Sequence, residues 1–360
     1  MEETKAGQQP NRAKIAAGLL LTGIILLLVL AIFQQNLYNK KSRYSAKDDF
    51  IMDTFVTQRV YGENGMQNAV HVADALGNLE RQLSMYIDSS EIARLNQAAG
   101  EDFVAFSKDG YALMKRAYED CRQSGGLFDI TIAPLTKLWD ITGENPHVPP
   151  KEQIEEKKKL INFDDILFDD ETQSVMLRYN GQAVDLGGIA KGYACDAARE
   201  VYERNGVRSA MLSIGGNTLI IGTKPDGTDF EIGIQDPRGK DQEYIGSLVM
   251  PDLVLATSGD YERYFEQDGK RYCHILDPRT GYPAETDLIS VSVVSESGIL
   301  TDYMSTTLFI GGKDYTLARM HEENYHVIAV DSEKNVYISS ELAERFTPNP
   351  QKSEYTFHWV

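Results

Sequence analysis

Three observations in the sequence predict an α+β fold rich in antiparallel sheet and preceded by a single transmembrane helix. Between Ser209 and Val294, β-rich runs follow one another across short turns, which favours pairing of neighbours over the crossovers of a doubly wound parallel sheet. On either side of that stretch, apolar residues recur at helical spacing. Near the N-terminus, Ile15 to Phe33 is apolar except for Thr22. As a helix this run spans roughly 28 Å, against a bilayer core of about 30 Å.

The elements follow in order. Residues 1–14 are expected as a cytoplasmic tail, 15–33 as the membrane anchor and 34–48, polar and basic, as a tether. A cleaved signal peptide is the rival for the anchor. Against it, the run exceeds the usual h-region of about 7 to 15 residues, and Ala31-Ile32-Phe33 is a poor small-x-small site. Basic residues flank the run on both sides, so orientation rests on the tendency of large following domains to translocate. The expectation is a single-pass protein of the cell membrane with an extracytoplasmic domain at 49–348 and a tail at 349–360.

Within that domain, Phe50 to Tyr61 alternates as a strand, and Gln67 to Leu83 carries Val70, Leu76, Leu79 and Leu83 at helical spacing. Ser89 to Asn96 and Gly110 to Arg122 read as helices, and Pro150 suits the start of another at Lys151 to Leu160. A hairpin follows from Ile166–Phe168 to Val175–Tyr179, then a helix from about Gly188 to Asn205 closed by Gly206. Strands are expected at 211–214, 219–221, 230–234, 247–250, 253–257 and 272–276, and helices at 302–309 and 313–322.

Composition narrows function. The chain of 360 residues is 42% hydrophobic, enough for a large core, and its net charge of −18 argues against a nucleic-acid or anionic-lipid surface. Cys121, Cys195 and Cys273 match no metal-ligand spacing and are read as small buried hydrophobes.

Three segments carry chemistry. In Val184-Asp185-Leu186-Gly187-Gly188-Ile189-Ala190-Lys191, a strand-like approach ends in a glycine turn and a helix start. Backbone N–H groups there can hold a pyrophosphate, with Lys191 adding charge, and Asp185 suits a ribose hydroxyl, an adenine amine or a metal shell. The same pattern also serves as an ordinary helix-capping turn. Asp302 and Thr306 stand four apart, so on a helix their oxygens share a face, a hard-oxygen pair suited to Mg²⁺ with phosphate. Asp302 as a plain helix-start residue is the alternative. His274, before the Asp277-Pro278-Arg279-Thr280-Gly281 turn, is the candidate general base, with Asp302 or a metal-bound water as the alternative base and a merely hydrogen-bonded strand histidine as the plain reading.

Together these segments resemble the FAD:protein FMN transferases of the ApbE family. The resemblance runs from about Phe50 to Phe346. It is carried by Met52-Asp53-Thr54-Phe55, Ser89-Glu91-Ile92 with Leu95-Asn96, Gly126-Leu127-Phe128-Asp129-Ile130, the Asp185 to Tyr193 stretch, Ser213-Ile214-Gly215-Gly216-Asn217, Thr257-Ser258-Gly259-Asp260-Tyr261, the His274 to Gly281 stretch, and Asp302 with Ser305-Thr306-Thr307. Two positions depart from the family pattern: Asp53 stands where glycine is common, and Leu276 replaces a common isoleucine.

The resemblance implies a T-fold-like domain that binds FAD with Mg²⁺ and moves its FMN half to a threonine or serine of an acceptor protein, releasing AMP. Met52, Tyr86, Leu127, Phe128, Asp129, Asp185, Lys191 and Leu276 would contact FAD; the Gly188 carbonyl, Asp302 and Thr306 would hold the metal. The acceptor would be a flavin-bearing subunit of a membrane redox complex or an extracellular electron-transfer protein. A Mg²⁺-dependent FAD pyrophosphatase on the same site, and a non-catalytic flavin-binding protein, are the rival readings.

Overall fold

The computed structural model describes residues 26–31, 43–240 and 242–360. Most of the expected span 15–33, and the tail before it, lie outside these residues; its described part, α1, is helical at 26–31. No helix among the described residues is long and apolar enough to cross a membrane.

The fold is mixed α+β around a nine-stranded sheet ordered β1-β2-β6-β7-β10-β13-β14-β15-β17. Its opening differs from the expected single strand. β1 (Tyr44–Ile51) and β2 (Thr54–Tyr61) form a hairpin in full register, from Tyr44 opposite Tyr61 to Ile51 opposite Thr54. Met52 and Asp53 turn it with φ of 57° and 54°, the left-handed pair of a two-residue hairpin turn. Met-Asp lacks the glycine or asparagine that marks such turns, so the break was invisible in sequence. Residues 44–48, expected in the tether, therefore belong to the sheet.

After α2 (Gly65–Leu83), an excursion of helices and short strands separates β2 from β6: α3 (Glu91–Gln97), β3 (Val104–Ala105), α4 (Lys108–Gln123), α5 (Ala133–Trp139), α6 (Lys151–Lys158), β4 (Ile166–Asp169) and β5 (Ser174–Leu177). Ser90 and Ser107 cap α3 and α4 by accepting from Ala93 and Gly110 N–H groups. Next come α7 (Ala190–Arg204), β6 (Ser209–Ile214) and β7 (Asn217–Gly222).

Alternation sorts the side chains of the sheet into two layers. On one face, Val56, Val60, Leu212, Ile214, Leu219 and Ile221 pack under Val72 and Leu76 of α2 and Ala194, Ala198 and Tyr202 of α7. On the other, Ile220, Leu255, Val294, Ile328 and Val330 meet a second sheet of β8 (Glu231–Gln235), β9 (Tyr244–Val249) and β16 (Phe346–Pro348). The Ala198, Leu76, Leu212 and Val56 side chains are fully buried; at about 25 cal/mol per Å² such apolar burial is the main stabilising term.

Three further expectations are corrected. β12 (Lys270–Cys273), paired with β11 (Tyr264–Gln267), ends before His274, because the chain turns there into the 274–281 loop. The helices expected at 302–309 and 313–322 are joined in α8 (Gly298–Leu317), capped by Ser297 and kinked at Gly312, where φ is 76°. Asp302 therefore lies in the second turn, not at the helix start. Finally, the expected tail 349–360 carries β17 (Thr356–Trp359), which pairs parallel to β15 (Asn335–Ile338), and Val360 N–H donates to the Ile338 carbonyl. Elsewhere the large sheet, with β10 (Val254–Gly259), β13 (Leu288–Ser295) and β14 (His326–Asp331), is antiparallel as expected.

Candidate active site

One end of the sheet gathers the chemistry-bearing segments. The β1–β2 turn, the Gly215-Gly216 turn between β6 and β7, the end of β10 and the start of α7 all lie there. A Cβ on Gly215 would come within 2.7 Å of Thr54 Oγ1, and one on Gly216 within 3.8 Å of Glu262 Oε2.

α7 and α8 bring the sequence-predicted metal and phosphate groups together. They touch backbone to backbone: a Cβ on Gly192 would sit 2.1 Å from the Gly298 carbonyl oxygen and 2.7 Å from Asp302 Cβ. Only glycine allows that approach. As a result Gly192 N–H donates to Asp302 Oδ2 at 2.8 Å, and Lys191 Nζ lies 3.7 Å from Asp302 Oδ1 and donates to the Gly187 carbonyl at 3.3 Å. Asp302 is buried; this pair is shielded from solvent on the carboxylate side, where charge pairs count for more than on a surface.

One turn on, Thr306 Oγ1 lies 3.4 Å from both the Asp302 carbonyl and Ser258 Oγ, while Ser258 meets Ser305 Oγ at 2.9 Å. Across from it, a Cβ on Gly188 would lie 3.8 Å from Thr306 Oγ1 and 2.9 Å from the Phe128 ring. Gly188, Phe128, Thr306, Asp302 and Lys191 are thus one constellation. Among the described residues no three of His, Cys, Asp and Glu converge on a metal position. The donor set is instead one carboxylate, one hydroxyl and backbone carbonyl, which fits a hard cation whose shell is completed by substrate phosphate.

Asp185 holds the turn before α7: Gly187 N–H donates to its Oδ1 at 2.8 Å, Thr136 Oγ1 lies 3.3 Å from its Oδ2, and burial raises its pKa. Tyr86, 72% exposed, stands within electrostatic reach of Asp185 and Asp53. Leu127 and Phe128 are buried in the core, with the Phe128 ring 5.8 Å from that of Tyr303. The Asp129 carboxylate is engaged by the protein itself, accepting from Thr131 N–H and Oγ1 in its own loop at 2.8 and 2.6 Å and from the distant Phe163 N–H at 3.2 Å. Leu276 packs with Leu135, Trp139 and Ile154, two residues beyond His274.

His274 joins the constellation through Arg263, a residue with no sequence-level role assigned. Its backbone N–H donates to the Arg263 carbonyl at 2.9 Å, and its Nδ1 lies 3.2 Å from the same oxygen. A carbonyl only accepts, so Nδ1 carries the proton and Nε2 keeps its lone pair. Burial, then the Lys191 and Arg263 cations, push the His274 pKa down to about 4, leaving the ring neutral at physiological pH. Arg263 also reaches Asp53, donating to its carboxylate at 3.1 Å and its carbonyl at 2.7 Å. That clamp explains how aspartate serves at the left-handed turn position beside Met52.

Sequence reasoning passed over Arg263, Glu262 and the Ser258 hydroxyl, although all fall in or directly after the Thr257 to Tyr261 stretch already noted. Burial raises the Glu262 pKa, opposed by Lys191 and Arg263. The Asp277 and Arg279 side chains pair with each other at 2.7 Å and shape their own loop, whose Gly281 carbonyl accepts from Trp139 Nε1 at 2.9 Å.

The ApbE family profile matches residues 52–330, from the hairpin tip into β14. Relatives bearing the name FAD:protein FMN transferase include the following two. That of Klebsiella pneumoniae (strain 342) is 34% identical over 281 residues, 78% of this chain and 87% of its own. That of Treponema pallidum (strain Nichols) is 30% identical over 322 residues, 84% and 89% of the two chains. Among solved structures, the ApbE protein of Thermotoga maritima superposes with a TM-score of 0.75 at 33% identity, covering 86% of this chain and 98% of that one. The flavin transferase ApbE from Vibrio cholerae gives 0.75 at 26% identity, covering 84% and 99%. With the family profile spanning most of its length and relatives at 34% and 30% identity matched over 87% and 89% of their own length, the chain belongs to the ApbE family.

Proposed function

We propose that this chain is a Mg²⁺-dependent FAD:protein FMN transferase that attaches FMN through a phosphoester to a threonine or serine of an acceptor protein and releases AMP. The observation that carries the reading is the convergence of Lys191, Asp302 and Thr306, with His274, its Nε2 unprotonated, within electrostatic reach of Lys191. Relatives bearing that transferase name support it.

Asp302, Thr306 and the Gly188 carbonyl would hold Mg²⁺, which when bound supplies charge neutralisation on the diphosphate. Lys191 adds a second positive charge there, the principal help a protein gives phosphoryl-type transfer. The acceptor hydroxyl oxygen attacks the FMN phosphorus, its proton passes to His274 Nε2, and the phosphoanhydride bond breaks with its electron pair leaving on AMP. Tyr86 and Met52 would contact the flavin nucleotide, and Asp185, accepting from Gly187 N–H, fixes the turn that would face the diphosphate.

The run 15–33 supports a single membrane span with the domain extracytoplasmic, and acceptors that suit this place are flavin-bearing subunits of membrane redox complexes or extracellular electron-transfer proteins.

Mass spectrometry of an acceptor carrying an Asp-Gly-x-Ser/Thr-Gly-Ala-Ser/Thr segment, after incubation with the protein, FAD and Mg²⁺, tests the reading. The expected result is one FMN per acceptor, absent when the threonine is alanine. Rapid release of FMN and AMP with every tested acceptor unlabelled refutes transfer in favour of FAD hydrolysis.

A further inference from the structure

Asn217 opens β7 directly after the Gly215-Gly216 turn and is 1% exposed. Neither its Oδ1 nor its Nδ2 has a hydrogen-bond partner, and among the described residues it is the one side chain with both heteroatoms buried and unmet. Its neighbours on the sheet are satisfied. Gln58 donates to the Ala69 carbonyl at 3.0 Å and accepts from Tyr202 at 2.7 Å, and Ser258 pairs with Ser305. A buried amide left without partners costs on the order of 1 to 3 kcal/mol per group, so both of its polar atoms call for partners.

The direction of the side chain follows from alternation. Leu219 and Ile221 face α2 and α7, Ile220 faces the second sheet, and Asn217 shares the parity of Leu219. β7 pairs with β10 up to Thr218 opposite Leu255, which leaves Asn217 beside the Ala256–Ser258 end of β10. On that face stand Ser258, whose hydroxyl meets Thr306, and the start of α7 with Lys191. Glu262 flanks the turn that precedes it. The amide therefore lies on the face of the sheet that carries Ser258 and the start of α7, beside the constellation of Lys191, Asp302 and Thr306.

Both heteroatoms need partners, one an acceptor and one a donor. Phosphate oxygens accept only and would leave Oδ1 unmet. Two edges of FAD offer both at once: the flavin pyrimidinedione, with N3–H between two carbonyls, and adenine, with its amine beside N1. We propose that the Asn217 carboxamide reads such a donor-plus-acceptor heterocycle edge and is a binding residue of this site. The inference rests on FAD being the substrate.

The test compares the full-length protein with Asn217→Leu, which keeps the volume and removes the polar atoms. Binding of FMN, AMP and pyrophosphate is titrated, and thermal midpoints are measured without ligand. Asn217→Leu should weaken either FMN or AMP by roughly 10- to 100-fold, the worth of two hydrogen bonds, while raising the ligand-free midpoint because an unmet buried amide is gone. Loss confined to FMN assigns the flavin edge; loss confined to AMP assigns adenine; both support the proposal. Unchanged affinity for both, or weakening of pyrophosphate alone, overturns it.

Should the variant fail to fold, 3-methyl-FMN and N6,N6-dimethyl-AMP are compared with their parents on the unaltered protein. One must bind at least about tenfold more weakly, and parity of both overturns the proposal. An unaltered protein that binds none of FAD, FMN and AMP refutes the substrate reading itself, a result separable from any effect of Asn217.

Discussion

Gly192→Ala is the most informative single perturbation, because one added methyl group tests the contact that assembles the site. The new Cβ would lie 2.1 Å from the Gly298 carbonyl oxygen, and moving that contact out to 3.0 Å parts α7 and α8 by about 0.9 Å. Overpacking of this kind costs about 1 to 3 kcal/mol. The displacement also stretches the 2.8 Å bond from Gly192 N–H to Asp302 Oδ2, a charged hydrogen bond worth about 1.5 to 3 kcal/mol. A loss of roughly 3 to 5 kcal/mol is therefore expected in urea unfolding, with the denaturant slope unchanged. Because Asp302 rides on α8 while Lys191 rides on α7, the variant should also lose metal-dependent FAD turnover even at temperatures where it is folded. Wild-type stability together with wild-type turnover would refute the claim that the helix contact sets the site.

Other perturbations read separate parts of the same arrangement. Lys191→Met should weaken FAD binding and raise the His274 titration midpoint above about 4, measured by NMR of labelled histidine, since a depressing cation is removed. Because His274 favours its neutral form in the fold, its stabilising contribution is complete above pH 6.5 and is lost as pH falls toward 4; replacing it with glutamine should flatten that part of the pH–stability curve. Arg263→Leu should cost under about 1 kcal/mol, as its pair with Asp53 is exposed, yet raise the KM for FAD by freeing the hairpin tip at Met52. A protein beginning at Arg43 should fold normally, whereas one beginning at Asp49 loses most of β1 and should show a clearly lower Tm.

What the sequence disclosed tracked local signals. The α7 helix and its glycine turn, the antiparallel run after Ser209 and the Asp302/Thr306 spacing were visible because turn residues and periodicity mark them. The hairpin at Met52-Asp53 was hidden because its left-handed turn is secured from 210 residues away by Arg263 instead of by a local glycine. β17 was hidden because a short parallel edge strand draws its pairing partner from β15 and carries little pattern of its own. In the site, motif residues were legible, but Arg263 and Asn217 act through distant backbone and an unmet amide, properties that only packing reveals.

The strand order of the large sheet has a consequence for how the chain is made. Reading across the sheet, β1, β2, β6, β7, β10, β13, β14, β15 and β17 appear in the order of their synthesis, and everything between them is an excursion that returns to the newest edge. Each strand can therefore add to a partner already in place as the polypeptide emerges N-terminus first. Vectorial growth of this kind keeps only one fresh edge exposed at a time, limiting the window for edge-to-edge misassembly between nascent molecules.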